Sequence, residues 1–260
     1  MHRCNVRLPQ VPPPPGGYPV VVVVHGGGWF SGDKWTISGF GKSLAAAGIA
    51  SVNVNYRLAP ADKFPAPVDD LRDALIWIAE NAGRFDFDTD RIGMWGYSAG
   101  AHLSLVTALV ANEPWPTRGR TTDWPEDDPR WQALPSVRAV VGGGSPCEFR
   151  TLPMDNESMA YWLGGTRREF PGRYAAASPT TLIDPQDPPI RLIHGTADVI
   201  VPIRSAAAMQ SAAQSAGAKS DLIRLPGNGH ITTFTSKVAK QSAVEFFTRH
   251  FEVNDEEVVR

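Results

Sequence analysis

The stretch IGMWGYSAGAHLSLVTALVA, Ile92 to Ala111, decides how the rest of the chain is read. It opens on a short apolar run, Ile92–Trp95, passes through GYSAG at Gly96–Gly100, and continues into a run of helical composition. Strand, turn and helix in direct succession around G-x-S-x-G are the setting of a nucleophile elbow, in which a sharp turn presents a serine hydroxyl at a helix N-terminus. Gly96 and Gly100 carry no Cβ, so strand and helix can pack closely around the turn. A Ser98 that merely capped the helix would need neither glycine.

Working outward, similar apolar runs recur at Val20–Val24, Ile49–Val54, Val137–Val141, Ile190–His194 and Asp221–Leu225. Several are continuously apolar rather than alternating, the pattern of parallel strands covered on both faces. Helical patterns lie between them at Gly39–Ala47, Ala66–Ala82, Ala99–Ala111, Arg204–Ala216 and Phe234–His250. The clearest is Ala66–Ala82, where Val68, Leu71, Leu75 and Ile78 form one stripe, Asp69 and Asp70 sit in the first turn, and Gly83 follows as a C-terminal cap. The alternation predicts an α/β fold with a mostly parallel central sheet and helices on both faces. With 260 residues and 42% apolar content the chain is expected to form a single domain over 1–260. Two long segments, 112–135 and 148–182, interrupt the rhythm and read as loop or cap-like insertions at the C-terminal ends of strands. The tail from Glu252 reads as frayed.

Composition narrows the partners. The net charge of −2 gives no reason to expect nucleic acid or an anionic membrane surface. No apolar run reaches the roughly 20 residues of a membrane helix. The first residues, MHRCNVRLPQ, lack a secretory apolar stretch, so a cytoplasmic location is expected unless this is a trimmed secreted form. Cys4 and Cys147 are too few for a disulfide framework and have no metal-ligand spacing.

A serine needs a base, and the base an orienting acid; in an elbow of this kind they follow in the order serine, acid, histidine. Of six histidines, His2, His25, His102, His194 and His250 lie before the core, on predicted elements or at a strand end. His230, in PGNGHITTF, follows the last strand in a glycine-rich loop and is the expected base. Asp198, in HGTADVIVP after the preceding strand, is the expected acid; Asp184, Asp187 and Asp221 fall at the wrong edge of the sheet. The valine strand ends in HGGGWFSGDK, His25–Lys34. Such bare backbone suits an oxyanion hole, whose preset donors are usually the largest catalytic term. Gly27, Gly28 and Ala99 are the expected donors, with the Trp29 N–H an alternative. Phosphate cradling would need a G-x-G-x-x-G or a following Lys-Ser/Thr, and neither occurs.

HGGGW, GYSAG, HGTAD and NGH, in that order, resemble the α/β-hydrolase fold, and more narrowly the hormone-sensitive-lipase-like esterases. HGGGWFSGDK, NYRLAPADKFPAPVDD and RFDFDTDRIGMWGYSAGAHLS resemble especially the feruloyl and acetyl-xylan esterase-like branch, over Val20 to about Phe247. The resemblance implies an eight-stranded, mostly parallel sheet, cofactor-free ester hydrolysis and the triad Ser98, Asp198, His230. Tyr56, Arg57 and Asp33 match motif positions read as structural, fixing the HGGGW loop. Two departures are visible. The segment before Val20 is short, so about seven strands are expected, with Cys4–Leu8 a possible edge strand. Ala101 stands where such relatives often carry another glycine, which affects packing near the elbow.

The expected function is that of a serine carboxylesterase on short-chain acyl or aryl esters, including acetylated or feruloylated carbohydrate. Its partner is a small-molecule ester. Trp29 and Tyr97 are candidate substrate-binding residues, with Trp35 a further wall, while Trp115, Trp124 and Trp131 either stack on a ring or form core under a loop. The alternatives are an arylformamidase or small peptidase of the same fold, and a non-catalytic binding module.

Overall fold

A computed structural model describes residues 4–111 and 113–253. His2, Asn112 and the tail from Asn254 lie outside the described residues. One sheet organises the rest. Its strands are β1 (Cys4–Arg7), β2 (Tyr18–Val24), β3 (Ala50–Val54), β4 (Phe87–Tyr97), β5 (Ala139–Gly143), β6 (Ile190–Gly195) and β7 (Ser220–Leu225). They lie side by side in the order β1-β3-β2-β4-β5-β6-β7. β1 is antiparallel to β3 and all other pairings are parallel. The chain steps from β2 to β3 on one side and then to β4 on the other, so the topological switch falls between β2 and β4. Ligand crevices in open α/β sheets form at the strand C-termini beside such a switch.

The valines of β2 are completely buried because the pleat sends them alternately into two layers. Val20, Val22 and Val24 face one core with helices Ala66–Glu80 and Ala99–Leu109; Val21 and Val23 face the other with helices Ser38–Ala46 and Lys237–His250. Two sequence readings need adjusting. The 66–82 helix ends at Glu80, and Gly83 lies inside a separate short turn of helix, Ala82–Phe85. The 234–250 helix breaks at Ser236, whose hydroxyl caps the Ala239 N–H at 3.2 Å, leaving helix His230–Thr235 before it. No helix among the described residues is long and apolar enough to cross a membrane.

The two insertions go to different places. Segment 113–135 leaves the end of a helix rather than a strand, and it packs on helix Ala66–Glu80. There the buried Asp69 carboxylate accepts hydrogen bonds from Arg72 Nη1 (2.7 Å), Thr122 Oγ1 (2.7 Å) and the Asp123 N–H (2.7 Å). Arg72, fully buried, also donates to the Thr121 carbonyl and hydroxyl. Trp124 is core, and Trp131 lies against it, with the Arg118 and Arg72 guanidinium groups over its ring. Segment 148–182 instead returns across the C-terminal ends of the strands, above the switch.

Two predictions follow from these buried polar groups. Asp69→Ala strands the Arg72 charge and is expected to destabilise the fold by about 3 kcal/mol in urea denaturation. Cleavage within 113–135 by limited proteolysis should then quicken. His102, wholly buried, has its pKa lowered by desolvation from 6.5 to about 4. Between those values the unfolded chain binds the proton and the folded one does not, so stability rises with pH. Relative to His102→Asn, the wild-type chain should therefore lose about 3 kcal/mol of unfolding free energy as pH falls from 6.5 to 4, with no further difference below.

Candidate active site

Ser98 sits between β4 and helix Ala99–Leu109 with φ 54° and ψ −121°, a conformation that non-glycine residues rarely adopt. Its N–H donates to the Gly143 carbonyl at 2.7 Å, tying the turn to the end of β5. Gly144, the next residue, has φ +55°, and a Cβ there would lie 2.9 Å from His230 Cε1. Serine and imidazole are thus held on either side of one short turn, and Gly144 leaves the room that the ring needs.

Asp198 and His230 are joined directly: His230 Nδ1 lies 2.7 Å from Asp198 Oδ2. A carboxylate only accepts, so Nδ1 carries a proton, and in the neutral ring Nε2 is left as an acceptor. The other carboxylate oxygen accepts the N–H groups of Ile200 (3.0 Å) and Val201 (2.8 Å). The two loops are zipped together by Thr196 N–H to Leu225 O and Ala197 N–H to Asn228 O, both 3.0 Å. Beneath them His194 donates from Nε2 to the Val201 carbonyl at 2.7 Å and stands 3.4 Å from Asp198. Burial holds its pKa below the ordinary histidine value, against the opposing pull of the Val201 carbonyl and the Asp198 carboxylate.

The glycine loop is fixed through its carbonyls. His25 Nδ1 donates to Gly26 O at 2.7 Å, the Ser31 N–H and Oγ both donate to Gly27 O, and the Tyr161 hydroxyl donates to Gly28 O at 2.6 Å. In a planar trans peptide the N–H points opposite to the C=O. Pinning these three carbonyls therefore fixes the N–H directions of Gly27, Gly28 and Trp29. Among the described residues, the N–H groups of Gly27, Gly28 and Ala99 meet no protein acceptor.

A pocket of about 560 Å³ opens beside Ser98. Gly28 and Trp29 border it from the glycine loop, Phe149, Leu152, Met159 and Tyr161 from segment 148–182, and Ile200 and Val201 from the Asp198 loop. No residue of 113–135 is among its walls. A larger, shallower groove of about 980 Å³ runs along helix Lys237–His250 and includes none of the residues above. Among the described residues no three or more His, Cys, Asp or Glu side chains are grouped to hold a metal ion.

The candidate substrate residues separate. Trp29 is 4% exposed; it borders the pocket, but its indole N–H is turned inward to His102 Nδ1 at 3.3 Å. Tyr97 is not among the walls of the pocket beside Ser98. Its hydroxyl donates to the His230 carbonyl, and its ring packs on His230 and Phe234, below the imidazole. Burial pushes the phenol pKa up, so it stays a donor. Trp35 is 66% exposed and lies outside the pocket. Of the residues expected to brace the loop, Tyr56 donates to the His25 carbonyl at 3.0 Å and Asp33 accepts from Asn55 at 2.8 Å, whereas Arg57 pairs with Asp70 rather than with the loop. Asn55, which also accepts the Lys34 N–H, and His102 went unassigned in the sequence. His102 falls one turn after Ser98, a spacing that places both at the same end of one helix.

Comparison with known proteins shows the family of the chain. The BD-FAE family model matches residues 5–212. Esterase LipC of Mycobacterium tuberculosis is 30% identical over 200 residues, covering 72% of this chain and 46% of LipC. Esterase LipQ of the same organism is 28% identical, covering 82% of this chain and 52% of LipQ. The chain thus spans about half the length of the curated relatives it matches. The structure of a truncated carbohydrate esterase from gut microbiota superposes with a TM-score of 0.83 at 24% identity, over 95% of this chain and 90% of that one. The match over residues 5–212, on a sheet that ends in this elbow, places the chain in the BD-FAE family of α/β-hydrolases.

Proposed function

We propose that the chain is a serine carboxylesterase acting on short-chain acyl or aryl esters. The observation that carries this reading is the Ser98 elbow, held across the Gly143–Gly144 turn from an imidazole whose Nδ1 is committed to Asp198. Ser98 Oγ attacks the ester carbonyl while His230 Nε2 takes its proton. Asp198 keeps the ring in that tautomer and stabilises the imidazolium. The carbonyl oxygen, now negative, is received by the N–H groups of Gly27, Gly28 and Ala99. His230 then returns the proton to the leaving alcohol. Water, activated by the same nitrogen, releases the acid and restores Ser98.

The pocket supports small substrates. Its volume falls in the range of small-ligand sites, and Phe149, Leu152 and Met159 give it apolar walls. The BD-FAE match and the esterase names of LipC and LipQ support ester bonds over amides. The carbohydrate esterase neighbour supports a sugar as the alcohol part of the ester, with acetyl or feruloyl as candidate acyl groups.

Ser98→Ala is expected to lower kcat by ~10⁶-fold on p-nitrophenyl acetate, as for other triads acting as a unit. Near-wild-type hydrolysis by that variant, together with no fluorophosphonate adduct on Ser98 in the parent, would refute the assignment. Among p-nitrophenyl esters, kcat/KM should fall about tenfold or more between butyrate and laurate. A parallel panel of methyl ferulate, acetylated xylan, N-formylkynurenine and an aminoacyl anilide reads the substrate class; faster turnover of either of the last two would transfer the chemistry to an amide bond.

A further inference from the structure

His102 is spent on nothing in the mechanism above, yet it is a fully buried polar side chain one helical turn from the nucleophile. Its own N–H donates to the Ser98 carbonyl at 3.0 Å. Its Nε2 lies 2.6 Å from the Ala177 carbonyl, which can only accept, so Nε2 carries the proton. Nδ1 is then an acceptor, and the Trp29 indole N–H donates to it at 3.3 Å. One imidazole thereby joins the elbow helix, the glycine loop and segment 148–182.

Trp29 needs such an anchor. Its φ of +63° is left-handed, a region costly to any residue with a Cβ. The indole stacks on Trp162 with ring centres 5.0 Å apart and planes 9° from parallel. Its Cα closes the Gly28–Trp29 peptide, so the seat of the indole sets where the Gly28 end of the loop lies relative to Ser98. Stacking alone permits sliding in the ring plane; a hydrogen bond to a group on the serine's own helix does not.

We propose that His102 is a positioning residue, holding the oxyanion loop in register with Ser98 by accepting the hydrogen bond of the Trp29 indole. This rests on the reading of Ser98 as nucleophile and Gly27 and Gly28 as donors. Desolvation keeps the imidazole neutral above about pH 4, so Nδ1 stays an acceptor wherever the base can work.

The test compares two substitutions of nearly the same shape. His102→Leu leaves the indole without an acceptor; His102→Asn puts a carbonyl oxygen near the former Nδ1. Both shorten the side chain alike. With p-nitrophenyl acetate, below the melting transition of each variant, His102→Leu should lower kcat about 10- to 100-fold with KM within about twofold. His102→Asn should stay within about fivefold of wild type, since the bond is kept. Trp29→Phe keeps an aromatic ring on Trp162 without the N–H; it should lose about as much as His102→Leu, and the double variant no more than either. Affinity for a trifluoromethyl ketone, whose adduct with Ser98 carries the oxyanion, should fall in step with kcat/KM.

Equal losses for Leu and Asn, or a loss confined to KM, would reduce the imidazole to packing and overturn the proposal. Should His102→Leu not fold, Trp29→Phe decides alone, and an unchanged kcat there overturns it. Ser98→Ala in the same assay separates the two readings. Retained hydrolysis in that variant removes the underlying reading, whereas an inactive Ser98→Ala beside indistinguishable His102 variants overturns only this one.

Discussion

The site is referred to one contact, the close approach of helix Ala99–Leu109 to the ends of β2 and β4. A Cβ on Gly100 would lie 2.2 Å from the Val24 carbonyl oxygen, and one on Gly96 would lie 2.2 Å from the Gly100 carbonyl. Neither position can carry a side chain. With helix and strands this close, the chain has one residue in which to reverse direction, and Ser98 takes the left-handed conformation that results. Such backbone costs about 1–3 kcal/mol and persists only where its surroundings over-determine it. Here they do: all eleven residues of the helix are buried, and the five valines Val20–Val24 are inaccessible on both faces.

The same contact locates the partners. Because β2 and β4 are neighbours across the switch, the loop leaving β2 and the serine leaving β4 emerge side by side. β5 supplies the Gly143–Gly144 turn that spaces the serine from the imidazole, and β6 and β7 end in the two loops that carry Asp198 and His230. The pairing of Thr196 with Leu225 and Ala197 with Asn228 extends the β6–β7 contact beyond the sheet, so acid and base are placed by backbone rather than by each other.

Much of this was legible in the sequence, for reasons that can be named. Continuous apolar runs mark covered parallel strands, and these fell within a few residues of β2 to β7. The short stretch before Val20 reads correctly as an edge strand, because a four-residue β1 still pairs along β3. Asp198 and His230 stand out by order and by their glycine-rich surroundings. Tyr97 misled because adjacency in sequence to Ser98 suggests adjacency in space. A strand sends successive side chains to opposite faces, and Tyr97 therefore points under the imidazole. Segment 113–135 misled because it follows a helix, which carries the chain away from the strand end where the serine lies. The pocket walls Phe149, Leu152, Met159 and Tyr161 were not legible: the first three lie outside regular elements and Tyr161 sits in a four-residue helix, Ala160–Leu163, too short to show a period. His102 reads as one more buried position on a helix buried all round.

The arrangement also answers why a loop of three glycines is not floppy. Glycine removes the barrier to unusual backbone angles but supplies nothing to hold them. In this chain the holding comes from outside the glycines, one carbonyl at a time. His25 fixes the first, Ser31 the second, and Tyr161 of segment 148–182 the third, while Trp162 and His102 seat the tryptophan that follows. Donors preset in this way need no reorganisation when charge develops, which is where their catalytic value lies. Segment 148–182 is consequently more than a wall. Through Tyr161, Trp162 and Ala177 it bears on the same loop that is proposed to supply the oxyanion donors, so a change in its seating reaches that loop as well as the pocket wall.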